Sequence, residues 1–413
     1  MMGLDAADRH WVSDSDNFQQ AKSAVEFENS DFSGITLAYE ECTKRALIVN
    51  PGKTEPNTYS HEYDWRNNAI GFLRLVLAAS VIIGHGPMLG GYPNLGLTIT
   101  GPWFGWGEVA VMGFFTLSGI LITKSWESSK GAKDFFTKRF LRIMPGYIFA
   151  LIMCAFVFGP IGWMLQNQTS SYPWSGPNSA ITYVTNNFTT KMNQDFIEGA
   201  WVMHGKQQGV NFPLWTIISE LTCYVITGFL GIVGIGKRHR VWFVAFTALL
   251  LGFLAYQAAK VGFVHDGAPS RLTHLFSYML GVCIYYYHEH IPLRPWAGWL
   301  CAVIAWGCSW YAPAMLVFPI FFAYAVVVAG FLGKPKQIEK RGDISYGVYL
   351  YGWPVQLIVS LLIGKSVGVW GYILISAIVV IPFGILSWLL VEKPSIGLVK
   401  RFGKPKPVAP SES

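Results

Sequence analysis

The chain has 413 residues, of which 52% are hydrophobic and only 13% are charged. A soluble domain carries about 25% charged residues, so this composition excludes an ordinary soluble protein and indicates lipid as the main solvent. Residues 1–64 hold 12 acidic and 5 basic side chains, whereas the remainder is strongly basic and gives the chain its formal charge of +7. The basic residues lie between apolar runs, which argues against a nucleic-acid-binding protein.

Residues 1–64 are polar and acidic, and they predict a largely disordered cytoplasmic extension. Ten apolar runs follow, each close to the roughly 20 residues that a helix needs to cross a bilayer. We therefore predict an all-α, polytopic membrane bundle over residues 65–396, and a basic cytoplasmic tail over residues 397–413. The runs cover residues 69–89, 109–125, 144–165, 213–235, 241–259, 272–287, 296–310, 313–332, 345–363 and 368–391.

The distribution of lysine and arginine predicts the orientation of this bundle. The connections after even-numbered runs, together with the C-terminal tail, hold 19 of these residues, and the connections after odd-numbered runs hold 5. Because positively charged loops stay in the cytoplasm, both termini are predicted to be cytoplasmic. The long connection over residues 166–211 then lies outside, where it is either filler or part of an acceptor-binding surface.

Two ionisable residues lie in the first apolar run, where they are costly and indicate function. Arg74 and His85 are eleven residues apart, which places them on one helical face, about 16 Å apart along the axis. A guanidinium suits phosphate or carboxylate binding, and a neutral imidazole suits proton transfer. The alternative is that Arg74 is an interfacial anchor and that His85 caps the helix end.

A second cationic feature follows the second run. Arg139 and Arg142 have i, i+3 spacing and therefore face one way from a short helix that Pro145 is predicted to end. Two arginines in this arrangement form either a clamp for a polyanion or an ordinary positively charged cytoplasmic connection.

Acidic residues complete the set of candidates. Glu220 lies about two turns into the fourth run, at a depth similar to that of His85, and a carboxylate beside a histidine would fix its tautomer and raise its basicity. Asp343 is predicted to cap the helix of the ninth run. The six cysteines have no metal-ligand spacing, so no metal is expected.

In their order and spacing, these motifs resemble the acyltransferase 3 family of membrane-bound O-acyltransferases over residues 65–394. The matching elements are Arg74 and His85 with ten residues between them, Phe114 to Gly119 as Phe-Phe-x-x-Ser-Gly, Arg139 and Arg142 followed by Pro145, Leu214 to Glu220, Ser345 to Leu350, and Glu392 to Pro394. There are two departures from the family pattern. Gly352 stands where many members have a histidine, and Met112 stands where many have an acidic residue.

The resemblance implies an acyl-CoA donor, usually acetyl-CoA, and a saccharide hydroxyl as acceptor, with the enzyme in the inner (plasma) membrane. Arg74, Arg139 and Arg142 would then bind the donor. The acceptor could be an exopolysaccharide, an O-antigen, a lipo-oligosaccharide or a smaller lipid-linked sugar.

The same resemblance implies catalytic roles. His85 would be the general base, with Glu220 as its orienting partner, and Ser118 would either donate to the developing oxyanion or simply pack a Ser-Gly helix contact. A transporter or flippase for a saccharide or a lipid-linked precursor is the competing hypothesis, since it too needs many spans and intramembrane charges.

Overall fold

The computed structural model describes residues 63–93, 104–167, 171–203, 205–261, 270–338 and 342–402. Apart from Tyr63 and Asp64, the predicted extension lies outside the described residues, as do residues 403–413 of the predicted tail. The described chain is a helical bundle with a single two-stranded hairpin, which confirms the predicted all-α class.

The first half of the described chain contains six helices and the hairpin. They are α1 (Ile70–Gly90), α2 (Trp106–Glu127), α3 (Ala132–Met153), a π-helical turn (Cys154–Phe158), α4 (Gly159–Asn167), α5 (Ala180–Asn187), β1 (Val202–Met203), β2 (Lys206–Gln207), a 3-10 turn (Phe212–Leu214) and α6 (Trp215–Ile232). The two strands are antiparallel, with Val202 opposite Gln207 and Met203 opposite Lys206.

The second half is entirely helical where it is described. Its elements are a 3-10 turn (Lys237–His239), α7 (Val241–Val261), α8 (Ser270–Tyr287), α9 (Pro295–Cys308), a 3-10 turn (Ala312–Leu316), α10 (Phe318–Leu332), α11 (Ser345–Ile363), α12 (Gly368–Ser387), a π-helical turn (Trp388–Glu392) and α13 (Lys393–Phe402).

Each of the ten predicted apolar runs overlaps helical structure, and the run over residues 144–165 covers the end of α3, the π-helical turn and most of α4. The count of ten spans stays a prediction. Seven helical stretches of the described chain are long and apolar enough to cross a membrane, and α9 and α10 are shorter apolar helices. The protein is therefore a multi-pass membrane protein.

Pro145 does not end a helix, contrary to the prediction. Helix α3 begins at Ala132 and continues through Pro145 to Met153, and a π-helical turn then joins it to α4. Proline removes one hydrogen bond from a helix, here the one to the Leu141 carbonyl four residues earlier, and membrane helices in a bundle tolerate such a loss. Beside Pro145, the Tyr346 hydroxyl of α11 donates to the carbonyl of Ile143 at 3.0 Å and ties α3 to α11.

Glycines bring α2 and α8 into backbone contact at the centre of the bundle. A Cβ atom added at Gly119 would lie 2.1 Å from the Tyr278 carbonyl oxygen, and one added at Gly281 would lie 2.1 Å from that of Thr116. Small residues of this kind let membrane helices approach closely.

Polar side chains on α11 and α12 fix the position of α1. Gln356 donates to the Ile82 carbonyl at 2.8 Å, and Ser360 donates to the Leu89 carbonyl at the same distance. The Tyr372 hydroxyl donates to the carbonyl of Gln356 at 2.7 Å. Because these groups are buried, their hydrogen bonds hold the three helices in a fixed relation.

Candidate functional site

Helices α1, α2, α3, α6 and α11 surround a partly open cavity of about 850 Å³, a volume that includes open solvent at its mouth. Five of the six predicted site residues line it, His85 being the exception. The lining residues are Arg74, Val111, Phe114, Phe115, Leu117, Ser118, Leu121, Ile122, Arg139, Arg142, Ile143, Thr216, Ile217, Glu220, Tyr224, Ser345, Tyr346 and Tyr349.

Arg74 and Arg142 share one carboxylate oxygen of Asp343. The Arg74 guanidinium donates to Asp343 Oδ2 at 2.5 Å, and the Arg142 guanidinium donates to the same oxygen. The other oxygen, Oδ1, accepts from the Ser345 hydroxyl at 2.6 Å and from the Ser345 backbone N–H at 3.3 Å. Asp343 therefore contacts the first residue of α11, but the N-cap position itself is Ile344, without a side-chain cap hydrogen bond, so the predicted cap by Asp343 is not formed. The sequence did not indicate the ionic contacts of Asp343.

The charge of Asp343 is stabilised by these neighbours. Burial by itself raises the pKa of Asp343, but Arg74 and Arg142, together with the Ser345 hydrogen bond, outweigh burial and hold that pKa well below its usual range. The carboxylate is therefore ionised at neutral pH and keeps the two arginines in a partly buried ion cluster.

We expect the stabilisation from this cluster to be constant between about pH 5 and about pH 8. A depressed folded-state pKa gives stability that is fully present above the unfolded pKa of about 4 and is lost as the pH falls through the folded value. Thermal unfolding of the detergent-solubilised wild type and Asp343→Asn across this range measures the difference. If the difference in Tm between the wild type and Asp343→Asn becomes smaller as the pH falls from about 8 to about 6, the expectation is contradicted.

Arg139 faces the same cavity from α3 but has a different environment. Its Nε atom is buried without a hydrogen-bond partner, and the guanidinium forms no ion pair within the described part of the chain. Glu220 is nearby and influences it electrostatically, while the Tyr224 hydroxyl donates to Glu220 Oε1. Arg139 is therefore a cation with donors available to a ligand.

Arg142 is held more tightly than Arg139. Besides its contact with Asp343, its guanidinium lies 5.9 Å from the centroid of the Trp388 ring. The i, i+3 spacing correctly placed both arginines on one face, yet their different partners come from distant parts of the chain.

Ser118 lines the cavity on α2, and its neighbour Gly119 makes the backbone contact with α8. The glycine of the Ser-Gly pair therefore packs two helices, and the serine is half-buried at the cavity. Thr216 and Tyr349 add a second polar wall, with their hydroxyls 2.5 Å apart.

His85 lies outside the cavity lining. Its ring meets Trp353 edge-on with centroids 5.0 Å apart, and Trp353 is fixed by donating Nε1–H to the Gly209 carbonyl at 2.8 Å. A Cβ atom added at Gly107 would lie 3.6 Å from His85 Nε2. Within the described residues the imidazole forms no hydrogen bond, so the expected contact with Glu220 is not formed and Glu220 pairs with Tyr224 instead.

The two departures from the family pattern have structural correlates. Met112 is fully buried and packs with Phe104, Ala305 and Phe318, away from the cavity. A Cβ atom at Gly352 would lie 3.2 Å from the Ile82 side chain, so this position faces α1.

Sequence reasoning missed two residues of the site: Tyr224, which lines the cavity, and Asp343, which contacts two of the lining arginines. Tyr224 could have been found, because it follows Glu220 by four residues on the same helical face. Asp343 could not, because its arginine partners are 269 and 201 residues away in the chain.

Comparison with known proteins gives one family and two relatives. A family model described as an acyltransferase domain matches residues 67–392. An "O-acetyl transferase" of Shigella phage Sf6 is 28% identical over 356 residues, covering 79% of this chain and 96% of the relative. "Nodulation protein 10" of Rhizobium leguminosarum bv. viciae is 27% identical over 369 residues, covering 82% of this chain and 95% of the relative. No solved structure matches the chain.

Proposed function

The chain belongs to the acyltransferase 3 family and is an acyltransferase of the membrane, and from this premise we propose that it moves an acetyl group from acetyl-CoA to a saccharide hydroxyl. The name of the phage relative supports acetyl as the group and oxygen as the acceptor atom. The saccharide acceptor and the inner membrane rest on the family resemblance.

The observation that carries the proposal is the cavity with three arginines. Coenzyme A carries several phosphate charges, and guanidinium groups bind phosphate with forked hydrogen bonds. Arg74, Arg139 and Arg142 line one cavity, and Arg139 has a buried donor without a partner. We assign this cavity to the anionic part of the donor.

The chemistry requires a base that removes the proton of the acceptor hydroxyl. We assign this role to His85, whose imidazole is free of hydrogen bonds within the described residues and is therefore able to accept a proton. The hydroxyl oxygen then bonds to the thioester carbonyl carbon, the carbon–sulfur bond breaks, and coenzyme A leaves as its thiol after taking up the proton.

The pantetheine arm of the donor would connect the two regions. Arg74 and His85 lie on one helix about 16 Å apart along its axis, so the anionic group and the thioester can occupy different depths. Ser118 lies on the cavity wall about 16 Å along α2 from Gly107, the residue beside His85, so it is assigned to the donor in the cavity rather than to the oxyanion that forms at His85. Glu220, with Tyr224, is assigned to balancing the charge of Arg139 in the cavity rather than to orienting His85.

Label transfer tests this function directly. Membranes that contain the protein should move radiolabelled acetyl groups from acetyl-CoA onto saccharide, and membranes with an equal amount of His85→Ala protein should not. Mass spectrometry of the saccharide should show the matching ester. If neither label nor ester depends on the protein while saccharide export does, the acyltransfer to saccharide is rejected in favour of transport.

A further inference from the structure

Asp343 lies between two of the arginines assigned to donor binding. Both guanidinium groups contact the same oxygen, Oδ2, and Ser345 occupies the other oxygen with its hydroxyl and backbone N–H. The carboxylate side chain is only 12% exposed. Its position is therefore set by four contacts and by its place just before helix α11.

The two guanidinium groups keep donors for a ligand while they hold Asp343. A guanidinium has five N–H donors, and one nitrogen of each arginine is used in the contact with Asp343. The side chains of Arg74 and Arg142 are 23% and 18% exposed, and both line the cavity. Their remaining N–H groups are therefore available on the cavity side.

We propose that Asp343 is a positioning residue of the donor site, which fixes the guanidinium groups of Arg74 and Arg142 so that their free N–H groups converge on the anionic group of the acyl donor. This role rests on the proposed function of the cavity. Ser345 contributes to the same positioning, because its hydroxyl holds the Asp343 carboxylate in place through Oδ1. Without the carboxylate, two long side chains of like charge would repel each other and lose their common orientation.

A simple charge argument predicts the opposite effect. Removing a negative charge from a cavity that binds an anion strengthens the attraction between the cavity and that anion. If Asp343 only lowered the local charge, its neutralisation would tighten donor binding. If Asp343 positions the arginines, its neutralisation weakens donor binding despite the more favourable net charge.

Steady-state kinetics of the full-length protein with acetyl-CoA separates the two effects. For Asp343→Asn we expect a KM for acetyl-CoA about tenfold above that of the wild type, with kcat changed by less than about twofold. Ser345→Ala retains every charged group, so it tests the hold on the Asp343 carboxylate without a change in the charge of the cavity. We expect Ser345→Ala to raise the KM for acetyl-CoA about threefold. If Asp343→Asn does not fold, Ser345→Ala is the variant that tests the role of Asp343.

Arg139→Ala is the control for the site itself, because Arg139 has no contact with Asp343. An unchanged KM in Arg139→Ala rejects the cavity as the donor site and, with it, the positioning role of Asp343. A raised KM in Arg139→Ala beside a lowered or unchanged KM in Asp343→Asn overturns the positioning role alone. An unchanged KM in Ser345→Ala likewise counts against it. Raised KM values in all three variants support the role of Asp343.

Discussion

Replacing His85 with alanine is expected to lower the rate of acyl transfer by roughly a thousandfold or more while leaving the protein inserted and folded. Removal of a general base leaves the acceptor hydroxyl protonated as it attacks the thioester. The fold should tolerate the change, because the ring contacts Trp353 but forms no hydrogen bond within the described residues. The measurements are kcat with acetyl-CoA and a saccharide acceptor, and the Tm of the solubilised protein.

The matched control is His239→Ala, since His239 is an exposed histidine in the 3-10 turn between α6 and α7. This variant should retain wild-type kcat and Tm. An activity of His85→Ala within about tenfold of the wild type, at equal protein level, removes His85 from the base role. A severe loss of Tm in His85→Ala would instead assign it a structural role against Trp353.

The helices were predictable from the sequence because lipid imposes a strong local rule. A segment that crosses the bilayer has to satisfy its backbone internally and present apolar side chains, so each long membrane helix is visible as an apolar run. The short helix α5 and the polar helix α13 have no such pattern and were not predicted. The prediction failed at Pro145, where helix α3 continues to Met153. Membrane helices tolerate proline when neighbouring helices pack against them, and α3 is tied there to the distant α11 by the hydrogen bond from Tyr346 to the Ile143 carbonyl.

The site was predictable only to the extent that it depends on local geometry. The spacing of Arg139 and Arg142 correctly indicated a common face, because three residues are close to one helical turn. A pair formed by His85 and Glu220 was inferred from similar depth in the membrane, and depth does not determine which way a helix is rotated. Glu220 turned out to contact Tyr224 of its own helix, while the Asp343 contacts depend on how α1, α3 and α11 pack.

Gly119→Ala is expected to destabilise the protein severely, because helices α2 and α8 meet there through their backbones. The added Cβ atom would lie 2.1 Å from the Tyr278 carbonyl oxygen and about 3.0 Å from Gly281, and these are backbone atoms that cannot rotate away. The helices would have to separate, which costs several contacts across the bundle centre and removes close packing that membrane helices depend on. Solubilised Gly119→Ala should show a large loss of Tm or fail to purify as a single species.

Gly252→Ala on α7 is the matched control, since a Cβ atom there meets nothing within 4 Å. In a helix, alanine is favoured over glycine by about 1 kcal/mol, so this variant should be as stable as the wild type or slightly more stable. Equal Tm values for the two variants would contradict the packing role of Gly119. If Gly119→Ala alone is destabilised, the glycine of the Phe-Phe-x-x-Ser-Gly element serves helix packing. The adjacent Ser118 then faces the cavity because that packing fixes the rotation of α2.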